Sequence, residues 1–275
     1  MPASLDTIVA AARERVSNAR RTADLGALEQ AAAKHTPRGL RDRLRRIAQN
    51  EIAIIAELKK ASPSKGLIRA DFRPADLARE LEGAGAAALS VLTDEEFFQG
   101  SLANLRQASA AVALPCLRKD FIVDEFQIVV ARANGADAIL LIVAALEQKE
   151  LESLSRRARA QGLDVLCEAH DEDELRRALD AGCDLIGVNS RDLRTFEVDL
   201  RTAFRLGEMI PESCVRVAES GIHSGADLAR LRAAGYDAFL IGESLMRAEH
   251  PGEALKKLRE AGSAVMSGQR LRADN

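Results

Sequence analysis

A phrase that recurs four times along the chain constrains its fold more than any other feature. Gly85 opens GAAALSVLT, Gly135 opens GADAILLIV, Gly182 opens GCDLIGVNS and Gly235 opens GYDAFLIGES. Each copy follows an amphipathic segment with helical spacing and leads into a short apolar run typical of a strand. Glycine at such a junction suits the left-handed residue that ends a helix. The phrase therefore predicts repeated helix–turn–strand units.

A second set of strand-like runs lies between the copies of this phrase, beginning at Ile52, Leu114, Leu163 and Val215. Together the two sets give eight candidate strands, which begin near residues 52, 87, 114, 137, 163, 184, 215 and 237. Helical segments separate them. Eight alternating strand–helix units are typical of an α/β fold with a single closed (β/α)8 TIM barrel.

A doubly wound open sheet is the competing fold for alternating strands and helices. Such a sheet normally carries a glycine-rich phosphate-binding turn directly after its first strand. The candidate turn here, residues 83–88 with the sequence GAGAAA, stands before a strand. It is therefore interpreted as a helix terminus, and the closed barrel is favoured.

The chain is expected to divide into three segments. Residues 1–50 precede the first strand and are predicted to form two or three helices, interrupted at Pro37 and Gly39. A segment this short buries little surface alone, so it is expected to cap the barrel as an N-terminal helical extension. Residues 51–262 are expected to form the barrel, and the polar residues 263–275 are expected to be a loose tail.

Composition excludes several classes of function. The formal net charge of −3 excludes broad attraction to nucleic acid or to an anionic membrane, and 3% aromatic residues are too few for base-stacking platforms. The longest apolar run, residues 138–146, is too short to span a bilayer. The N-terminus lacks a cationic start followed by an apolar stretch. We therefore expect a cytoplasmic protein with neither a nucleic-acid nor a membrane partner.

The cysteines and histidines do not indicate a metal site. Cys116, Cys167, Cys183 and Cys214 lie far apart and include no CxxC pair, and the four histidines form no HxxxH or HExxH arrangement. The cysteines are expected to be buried free thiols. No metal and no cofactor are predicted.

Polar residues collect at the carboxyl ends of the candidate strands, where the catalytic groups of this fold lie. The strand ends in question are Glu57 with Lys59, Arg118 with Lys119, Glu168, Asn189, and Glu219 with Ser220. Because strand side chains alternate, Glu57 and Lys59 are expected to point the same way as Ile55, into the barrel mouth. A single strand-end acid such as Glu219 is explained equally well by ordinary surface polarity. Two lysines and two acids together favour catalysis, since clustered charges shift one another's protonation.

Small residues follow the last two candidate strands. One loop reads Ser220-Gly221-Ile222 before a helix start at Ser224, and the other reads Gly242-Glu243-Ser244. Small residues let backbone N–H groups approach an anion, and loops after strands seven and eight are the usual phosphate site of this fold. A phosphate site is predicted, with the Glu243 side chain pointing away. Ordinary turn chemistry is the alternative.

Longer motifs resemble those of the indole-3-glycerol-phosphate synthase family. They are IIAELKKASPSKG at 54–66, LRKDFIVDEFQI at 117–128, GVNSRDLRTFEVD at 187–199, VAESGI at 217–222 and LIGESLMR at 240–247. The resemblance runs from about residue 5 to residue 262. The E-x-K-x-x-S-P-S segment is highly specific, whereas ESGI also occurs in other phosphate-binding barrels. The N-terminal extension likewise resembles the one that helps close that family's substrate site.

The resemblance implies a carboxy-lyase of tryptophan biosynthesis. Such an enzyme converts 1-(o-carboxyphenylamino)-1-deoxyribulose 5-phosphate to indole-3-glycerol phosphate, with loss of carbon dioxide and water. This chemistry needs no metal or redox cofactor. A small phosphosugar is the expected partner, and a monomer is the expected state, with a weak dimer as the alternative.

The resemblance also implies individual roles. Lys119 would be the general acid in ring closure and Glu168 the acid–base partner in dehydration. Lys59 would contact substrate oxygens, with Lys59 or Lys119 supplying the dehydration proton, and Glu57 would orient the two lysines and contact a ribulose hydroxyl. The remaining residues would position the anthranilate end and its carboxylate (Asn189, Arg191), surround the phosphate (Ser62, Gly221, Gly242, Glu243) or line an apolar slot for the aromatic ring (Phe98, Phe121, Leu140). Ser220 would bind the substrate near the phosphate and is grouped with the catalytic residues. Simple core packing is the alternative for Leu140.

Four other functions remain open, the first of which is a tryptophan synthase α-type lyase, another phosphosugar barrel of the same pathway. A phosphosugar isomerase would centre on a Cys and Asp pair, where this chain has Lys59 and Val143. A Schiff-base aldolase would use a strand-end lysine to bond a substrate ketone. A non-catalytic phospho-ligand sensor would need the strand-end charges only as binding contacts.

Overall fold

A closed parallel barrel is the centre of the molecule. The computed structural model describes residues 4–192 and 195–273, so Leu193 and Arg194, within one quoted motif, lie outside the described residues, as do residues 274 and 275 of the expected tail. The strands are β1 (Ala53–Leu58), β2 (Ala61–Ser62), β3 (Gly66–Leu67), β4 (Ala88–Leu92), β5 (Cys116–Lys119), β6 (Ala138–Ile142), β7 (Asp164–Ala169), β8 (Leu185–Asn189), β9 (Val215–Glu219) and β10 (Ala238–Ile241).

Within the described residues, eight of these strands pair in parallel in the order β1-β4-β5-β6-β7-β8-β9-β10 and close back onto β1. The remaining two, β2 and β3, form a small antiparallel hairpin directly after β1. The predicted (β/α)8 barrel is therefore confirmed, and each predicted strand start lies within two residues of an observed one.

Helices surround the barrel and precede it. They are α1 (Leu5–Thr22), α2 (Leu25–Lys34), α3 (Leu40–Ala48), α4 (Pro74–Gly83), α5 (Leu102–Ala111), α6 (Glu125–Ala133), α7 (Gln148–Ala160), α8 (Glu172–Asp180), α9 (Arg201–Gly207), α10 (Gly225–Ala233), α11 (Glu243–Arg247) and α12 (Pro251–Ala273), with a 3₁₀ turn at Val143–Ala145. The last helix continues through residues 263–273, within the segment expected to be a loose tail.

The repeated glycines end helices, as predicted. Gly85, Gly135, Gly182 and Gly235 have φ values of 86°, 83°, 71° and 90°, all in the left-handed region. A side chain is disfavoured in this conformation, so glycine lets the chain leave each helix and enter the next strand. This shared turn accounts for the glycine that opens each copy of the phrase.

Alternate strand residues fill the barrel interior. Ile55, Leu117, Leu166 and Val217 belong to one fully buried cluster, whereas the outward residues of the same strands pack against the helices. Removal of this apolar surface from water stabilises the barrel by roughly 25 cal/mol for each Å² that is buried. Glu57, Lys119 and Glu219 stand two residues after the inward-facing Ile55, Leu117 and Val217, respectively. Because side chains alternate along a strand, these three also point inward, into the mouth of the barrel.

The N-terminal extension contacts both ends of the barrel. Leu40 and Leu44 of α3 are fully buried in the interior cluster, and the Arg43 guanidinium donates to the Ala87 carbonyl oxygen before β4. At the opposite end, the Arg15 guanidinium of α1 lies 2.9 Å from Asp94, which follows β4. Helix α3 thus closes the amino-terminal end, and α1 reaches the mouth.

Two of the cysteines do not match the sequence expectation. Cys167 of β7 and Cys183 before β8 form a disulfide, whereas Cys116 and Cys214 are buried free thiols. The expectation of four free thiols was therefore wrong for the first pair. Neighbouring strands bring these two residues to a Cα separation of 6.4 Å, although 16 positions separate them in the sequence. Burial raises the pKa of the Cys116 thiol to about 12.

Candidate active site

A cavity of about 190 Å³ opens at the carboxyl ends of the barrel strands. All of the predicted site residues line it, namely Glu57, Lys59, Ser62, Phe98, Lys119, Phe121, Leu140, Glu168, Asn189, Arg191, Ser220, Gly221, Gly242 and Glu243. The residues come from different strands and loops that are distant in the sequence. The barrel therefore brings together the side chains that the sequence analysis selected, although their chemical roles are a separate question.

Glu57 and Lys59 form an ion pair on the β1 side of the mouth. The Lys59 ammonium nitrogen lies 2.5 Å from Glu57 Oε1, and Glu57 is 4% exposed. A β-carbon at Gly242 would collide with the Glu57 carboxylate, so glycine at the end of β10 makes room for this acid. The pair thus depends on a small residue from the neighbouring strand.

Lys119 lies between two buried carboxylates. Its ammonium nitrogen donates to Glu168 Oε2 at 2.9 Å and to Glu219 Oε2 at 2.7 Å. Burial alone would lower the pKa of Lys119, but the attraction of Glu168, Glu219 and Glu57 raises it above the ordinary lysine value. Lys119 is therefore a charged ammonium at neutral pH, able to donate a proton or to stabilise a developing oxyanion.

The two carboxylates that share Lys119 differ in protonation. Burial would raise the pKa of Glu168, but Lys119 and His170 lower it well below the ordinary glutamate value. The pKa of Glu219 is raised to about 8, mainly by burial. The attraction of Lys119 lowers this pKa, but repulsion from Glu168 opposes that effect. Closely spaced acids titrate as a unit, and the second proton is held more tightly. Near neutral pH the cluster contains an ionised Glu168 and a protonated Glu219.

Glu219 is the main residue that the sequence analysis left out of its site. Its position at the end of β9 was noted, but a single strand-end acid has an ordinary explanation. The structural signal lies in the partner strand, where Gly187 of β8 leaves space for the Glu219 carboxylate. A glycine in the middle of a central strand often marks such a close approach. Asp94, Pro63 and His223 also line the cavity and were not selected.

Asn189 and Arg191 form a polar turn after β8. The Arg191 backbone N–H donates to Asn189 Oδ1 at 3.0 Å, and the Arg191 guanidinium donates to the Phe196 carbonyl oxygen at 3.1 Å. A planar guanidinium suits the recognition of a carboxylate. Because the turn also lines the cavity, this side of the mouth can receive a substrate carboxylate.

The loops after β9 and β10 form a rim of small residues. Ser220 and Gly221 are consecutive left-handed residues, with φ values of 65° and 76°. Successive backbone N–H groups in such turns make concave anion sites. The Glu243 carboxylate accepts from Arg247 Nε at 3.0 Å, so it is already paired. The start of α10, by contrast, is occupied by its own capping box, in which Ser224 and Asp227 bond reciprocally.

An apolar wall faces this rim. The rings of Phe98 and Phe121 lie with their centres 6.3 Å apart at an angle of 37°, and both line the cavity. Leu140 is 1% exposed and belongs to the barrel interior as well as to the cavity floor. The core-packing interpretation of Leu140 is therefore correct, and the residue can also contact a ligand.

Residues 4–192 and 195–273 contain no cluster of three or more His, Cys, Asp or Glu side chains arranged to hold a metal ion. In the same ranges, no helix is both long and apolar enough to cross a bilayer. The chemistry present in the cavity is that of two lysines, an arginine, six carboxylates and a rim of small residues, and the carboxylates are those of Glu57, Asp94, Asp120, Glu168, Glu219 and Glu243.

Comparison with known proteins identifies close relatives. The profile of the family described as indole-3-glycerol phosphate synthase matches residues 5–258. The chain is 58% identical over 258 residues to "Indole-3-glycerol phosphate synthase" of Koribacter versatilis, covering 94% of this chain and 99% of that one. It is 51% identical over 255 residues to the protein of the same name from Burkholderia ambifaria, covering 92% and 98%.

Solved structures share the fold at much lower identity. A mandelate oxidase variant superimposes with a TM-score of 0.61 at 19% identity, covering 89% of this chain and 86% of that one. Thiamine phosphate pyrophosphorylase from Pyrococcus furiosus gives a TM-score of 0.58 at 18% identity, covering 79% and 98%. At these identities the likeness establishes the barrel architecture alone.

Proposed function

The chain belongs to the indole-3-glycerol phosphate synthase family, and we propose that the charge cluster around Lys119 performs that family's ring closure. The protein is a carboxy-lyase of tryptophan biosynthesis. It converts 1-(o-carboxyphenylamino)-1-deoxyribulose 5-phosphate to indole-3-glycerol phosphate, carbon dioxide and water. The observation that carries the assignment of roles is the position of Lys119 Nζ between Glu168 and Glu219.

Ring closure requires a proton for the ribulose C2 oxygen. The aniline nitrogen pushes electrons through the aromatic ring, and the ring carbon that bears the carboxylate attacks the C2 carbonyl carbon. Lys119 donates to the oxygen as negative charge develops there, so the ammonium stabilises the transition state more than the ground state. Contacts with two acids hold the ammonium in the mouth, so little reorganisation is needed.

Decarboxylation follows at the carbon that has just formed the new bond. Loss of carbon dioxide leaves an electron pair that restores the aromatic ring and neutralises the iminium nitrogen. Arg191 and Asn189, at the polar turn after β8, hold the carboxylate before it leaves. Phe98 and Phe121 pack against the aromatic ring of the substrate and exclude water from it.

Dehydration completes the indole. The hydroxyl formed in the first step leaves as water with one added proton, while the neighbouring ring carbon loses a proton to a base. Glu168 enters this step ionised and therefore serves as the base, with a pKa kept low by Lys119 and His170. Lys59, oriented by its ion pair with Glu57, supplies the proton to the departing hydroxyl, with Lys119 as the alternative donor.

The phosphate end of the substrate occupies the rim after β9 and β10. Backbone N–H groups near Gly221, Gly242 and Glu243 bind its oxygens, and Ser62 and Ser220 add hydroxyl groups. This arrangement is supported by the left-handed turn at Ser220 and Gly221 and by the Glu243 carboxylate, which is paired with Arg247 rather than unsatisfied. This rim adjoins the Asn189–Arg191 turn, since β8 pairs with β9, whereas Phe98 and Phe121 follow β4 and β5.

The proposal also includes a monomer in the cytoplasm with no nucleic-acid or membrane partner. The exposed large apolar residues of the described chain are Leu25, Leu67, Val198, Met209 and Val265, which lie on separate segments. Scattered residues of this kind are normal for a monomer surface. Sedimentation analysis should give a mass near 29.7 kDa, and a concentration-dependent doubling would indicate the weak dimer.

Indole fluorescence tests the proposed roles. Purified protein mixed with the carboxyphenylamino ribulose phosphate should develop indole fluorescence, and Lys119→Met should lower kcat by at least about 10²–10⁴, the usual range for a positioned proton donor. Lys149→Met removes an exposed lysine and is the matched control. A loss below tenfold would remove Lys119 from the central role. Absence of product with the unaltered protein would favour a phospho-ligand sensor.

Borohydride trapping distinguishes a further mechanism. A lysine that bonded the substrate ketone would be converted to a stable amine adduct when borohydride is added during turnover. We expect no adduct, because the Lys119 ammonium remains protonated between Glu168 and Glu219. An adduct at Lys59 or Lys119, identified by mass spectrometry, would show that this lysine acts as a covalent catalyst and not as a proton donor.

A further inference from the structure

A histidine that the proposed mechanism has not assigned lies directly behind Glu168. His170 follows the end of β7, and its side chain is 12% exposed. Its Nδ1 lies 2.9 Å from Glu174 Oε2 on α8, and the same oxygen accepts the His170 backbone N–H at 2.8 Å. Its Nε2 lies 3.4 Å from Glu168 Oε1 and is a buried nitrogen with no aligned hydrogen bond among the described residues.

The two acids on Lys119 are otherwise nearly equivalent. Each places its Oε2 within 3 Å of the Lys119 ammonium nitrogen, and each is about 2% exposed. Their other oxygens differ. Glu168 Oε1 faces the His170 ring, whereas Glu219 Oε1 is buried beside Gly187 without a hydrogen-bond partner in the described part of the chain. One carboxylate therefore contacts two cationic groups and the other contacts one.

We propose that His170 is a positioning residue whose imidazolium decides which of the two acids holds the shared proton, keeping Glu168 ionised and leaving Glu219 protonated. The inference rests on the proposed function of Glu168 as the base in dehydration. Glu219 Oε1 is buried without a partner among the described residues, so protonation of Glu219 is favoured there, because burying a neutral carboxyl costs less free energy than burying an unpaired charge. His170 itself touches no reacting atom.

The charge on His170 follows from its surroundings. Burial would lower its pKa, but the close contact with Glu168 and the hydrogen bond and attraction to Glu174 raise it to about 10. The charged groups around it are Glu168 on β7 and Glu174 on α8, with Lys119 on β5 beyond Glu168. At the pH of a cell the ring is therefore an imidazolium. A second positive charge lowers the pKa of Glu168 further than Lys119 alone would.

The assignment gives the active site a defined resting state. Glu168 is ready to accept a proton, and Glu219 is already neutral, so the cluster of Lys119, Glu168 and Glu219 carries no net charge. Without His170, the proton would be shared between the two acids, and a fraction of the molecules would hold Glu168 in its protonated form. Dehydration would then slow, whereas ring closure and substrate binding would change less.

Carboxyl ¹³C NMR of protein labelled at glutamate Cδ tests the inference without any turnover. In the unaltered protein, Glu168 should remain ionised between pH 5 and pH 8, and Glu219 should titrate near 8. In His170→Gln and His170→Asn, the Glu168 midpoint should rise by about one pH unit or more and the Glu219 midpoint should fall. The glutamine variant retains a neutral donor near the position of Nε2, and the asparagine variant retains one near the position of Nδ1. Because each variant keeps a donor but lacks the charge, a shift of the Glu168 midpoint in both identifies the lost charge as the cause.

Two controls separate charge from structure. His250→Gln replaces an exposed histidine and should leave both midpoints unchanged. Glu174→Gln removes an anion but leaves His170 charged at low pH, so the imidazole pKa should fall while the Glu168 midpoint stays low. Kinetics should agree: the His170 variants should lose kcat with little change in KM, and the acidic limb of their pH profile should move to higher pH.

Unchanged Glu168 and Glu219 midpoints in the folded His170 variants would overturn the inference, as would an imidazole midpoint near 6.5 in the unaltered protein. The second measurement needs no variant, so it holds even if both substitutions prevent folding. These titrations are independent of catalysis. Failure of the proposed function would instead appear as an absence of indole product from the unaltered protein.

Discussion

Gly187 and Glu219 are in such close approach that a β-carbon at Gly187 would collide with Glu219 Oε1. The two residues lie on adjacent parallel strands, where Gly187 is paired in register with Val217, two residues before Glu219. The Glu219 carboxylate therefore lies over the glycine and reaches Lys119 from there. The geometry of the charge cluster depends on the absence of a side chain at this position.

Replacement of Gly187 by alanine should displace Glu219 from Lys119. We expect kcat to fall by about 100-fold, which is the effect of a displacement near 1 Å in an active site. Overpacking should also lower the free energy of unfolding by about 1–3 kcal/mol. Steady-state kinetics and urea unfolding measure the two effects.

Gly83→Ala is the matched control for this substitution. Gly83 ends α4, and a β-carbon there would have no neighbour within 4 Å among the described atoms. Alanine favours a helix more than glycine does, so the control should retain activity and stability. Full activity in Gly187→Ala would contradict the close packing on which the cluster depends.

Replacement of Glu168 by glutamine should separate decarboxylation from dehydration. The amide cannot accept the proton that dehydration releases, so carbon dioxide should still form while indole fluorescence lags far behind. Release of labelled carbon dioxide and appearance of indole, followed in one sample, measure the two steps. The matched control, Glu208→Gln, alters an exposed acid and should leave the two yields equal. A variant that releases no carbon dioxide would count against the dehydration role.

Glu219 should set the alkaline limit of activity. Its pKa is raised to about 8, so the acid is protonated below that pH and becomes an anion above it. A second anion on Lys119 would make the ammonium a weaker proton donor, and kcat/KM should fall as the pH rises through about 8. In Glu219→Gln this limb should be absent, because the amide does not ionise. An identical alkaline limb in the variant would assign the loss of activity to another group.

The rim after β9 and β10 should bind inorganic phosphate in competition with substrate. Ser244→Asp would introduce a negative charge at the rim and should abolish this competition while it raises KM. Gly242 is a poorer position for the test, because any side chain there would also displace Glu57. Ser267→Asp, on the exposed part of α12, is the control. Unchanged inhibition by phosphate in Ser244→Asp would exclude this loop as the anion site.

The sequence predicted the barrel because the barrel is built from a local pattern. Each copy of the repeated phrase combines helical spacing, a left-handed glycine and an apolar strand, and all three signals lie within a few residues. Gly135, for example, ends α6 and precedes β6 as expected. Strand-end residues such as Lys119 could also be selected, because this fold always turns its carboxyl ends to one face.

Features that depend on pairs of distant residues could not be predicted. The spacing of Cys167 and Cys183 carries no sign of their disulfide, which arises where β7 lies beside β8. Glu219 has the sequence context of any strand-end acid, and its importance becomes visible through Gly187 and Lys119. The difference in charge between Glu168 and Glu219 likewise depends on how His170 is held by α8.

A crystal structure of the protein with bound indole-3-glycerol phosphate tests the proposed placement of the substrate most directly. We predict that the phosphate oxygens lie within about 3 Å of backbone nitrogens near Gly221 and Gly242, with the indole ring packed against Phe98 and Phe121 and within reach of Lys119. A phosphate bound at another surface, or an indole ring with its reacting carbon far from both Lys119 and Glu168, would contradict the account.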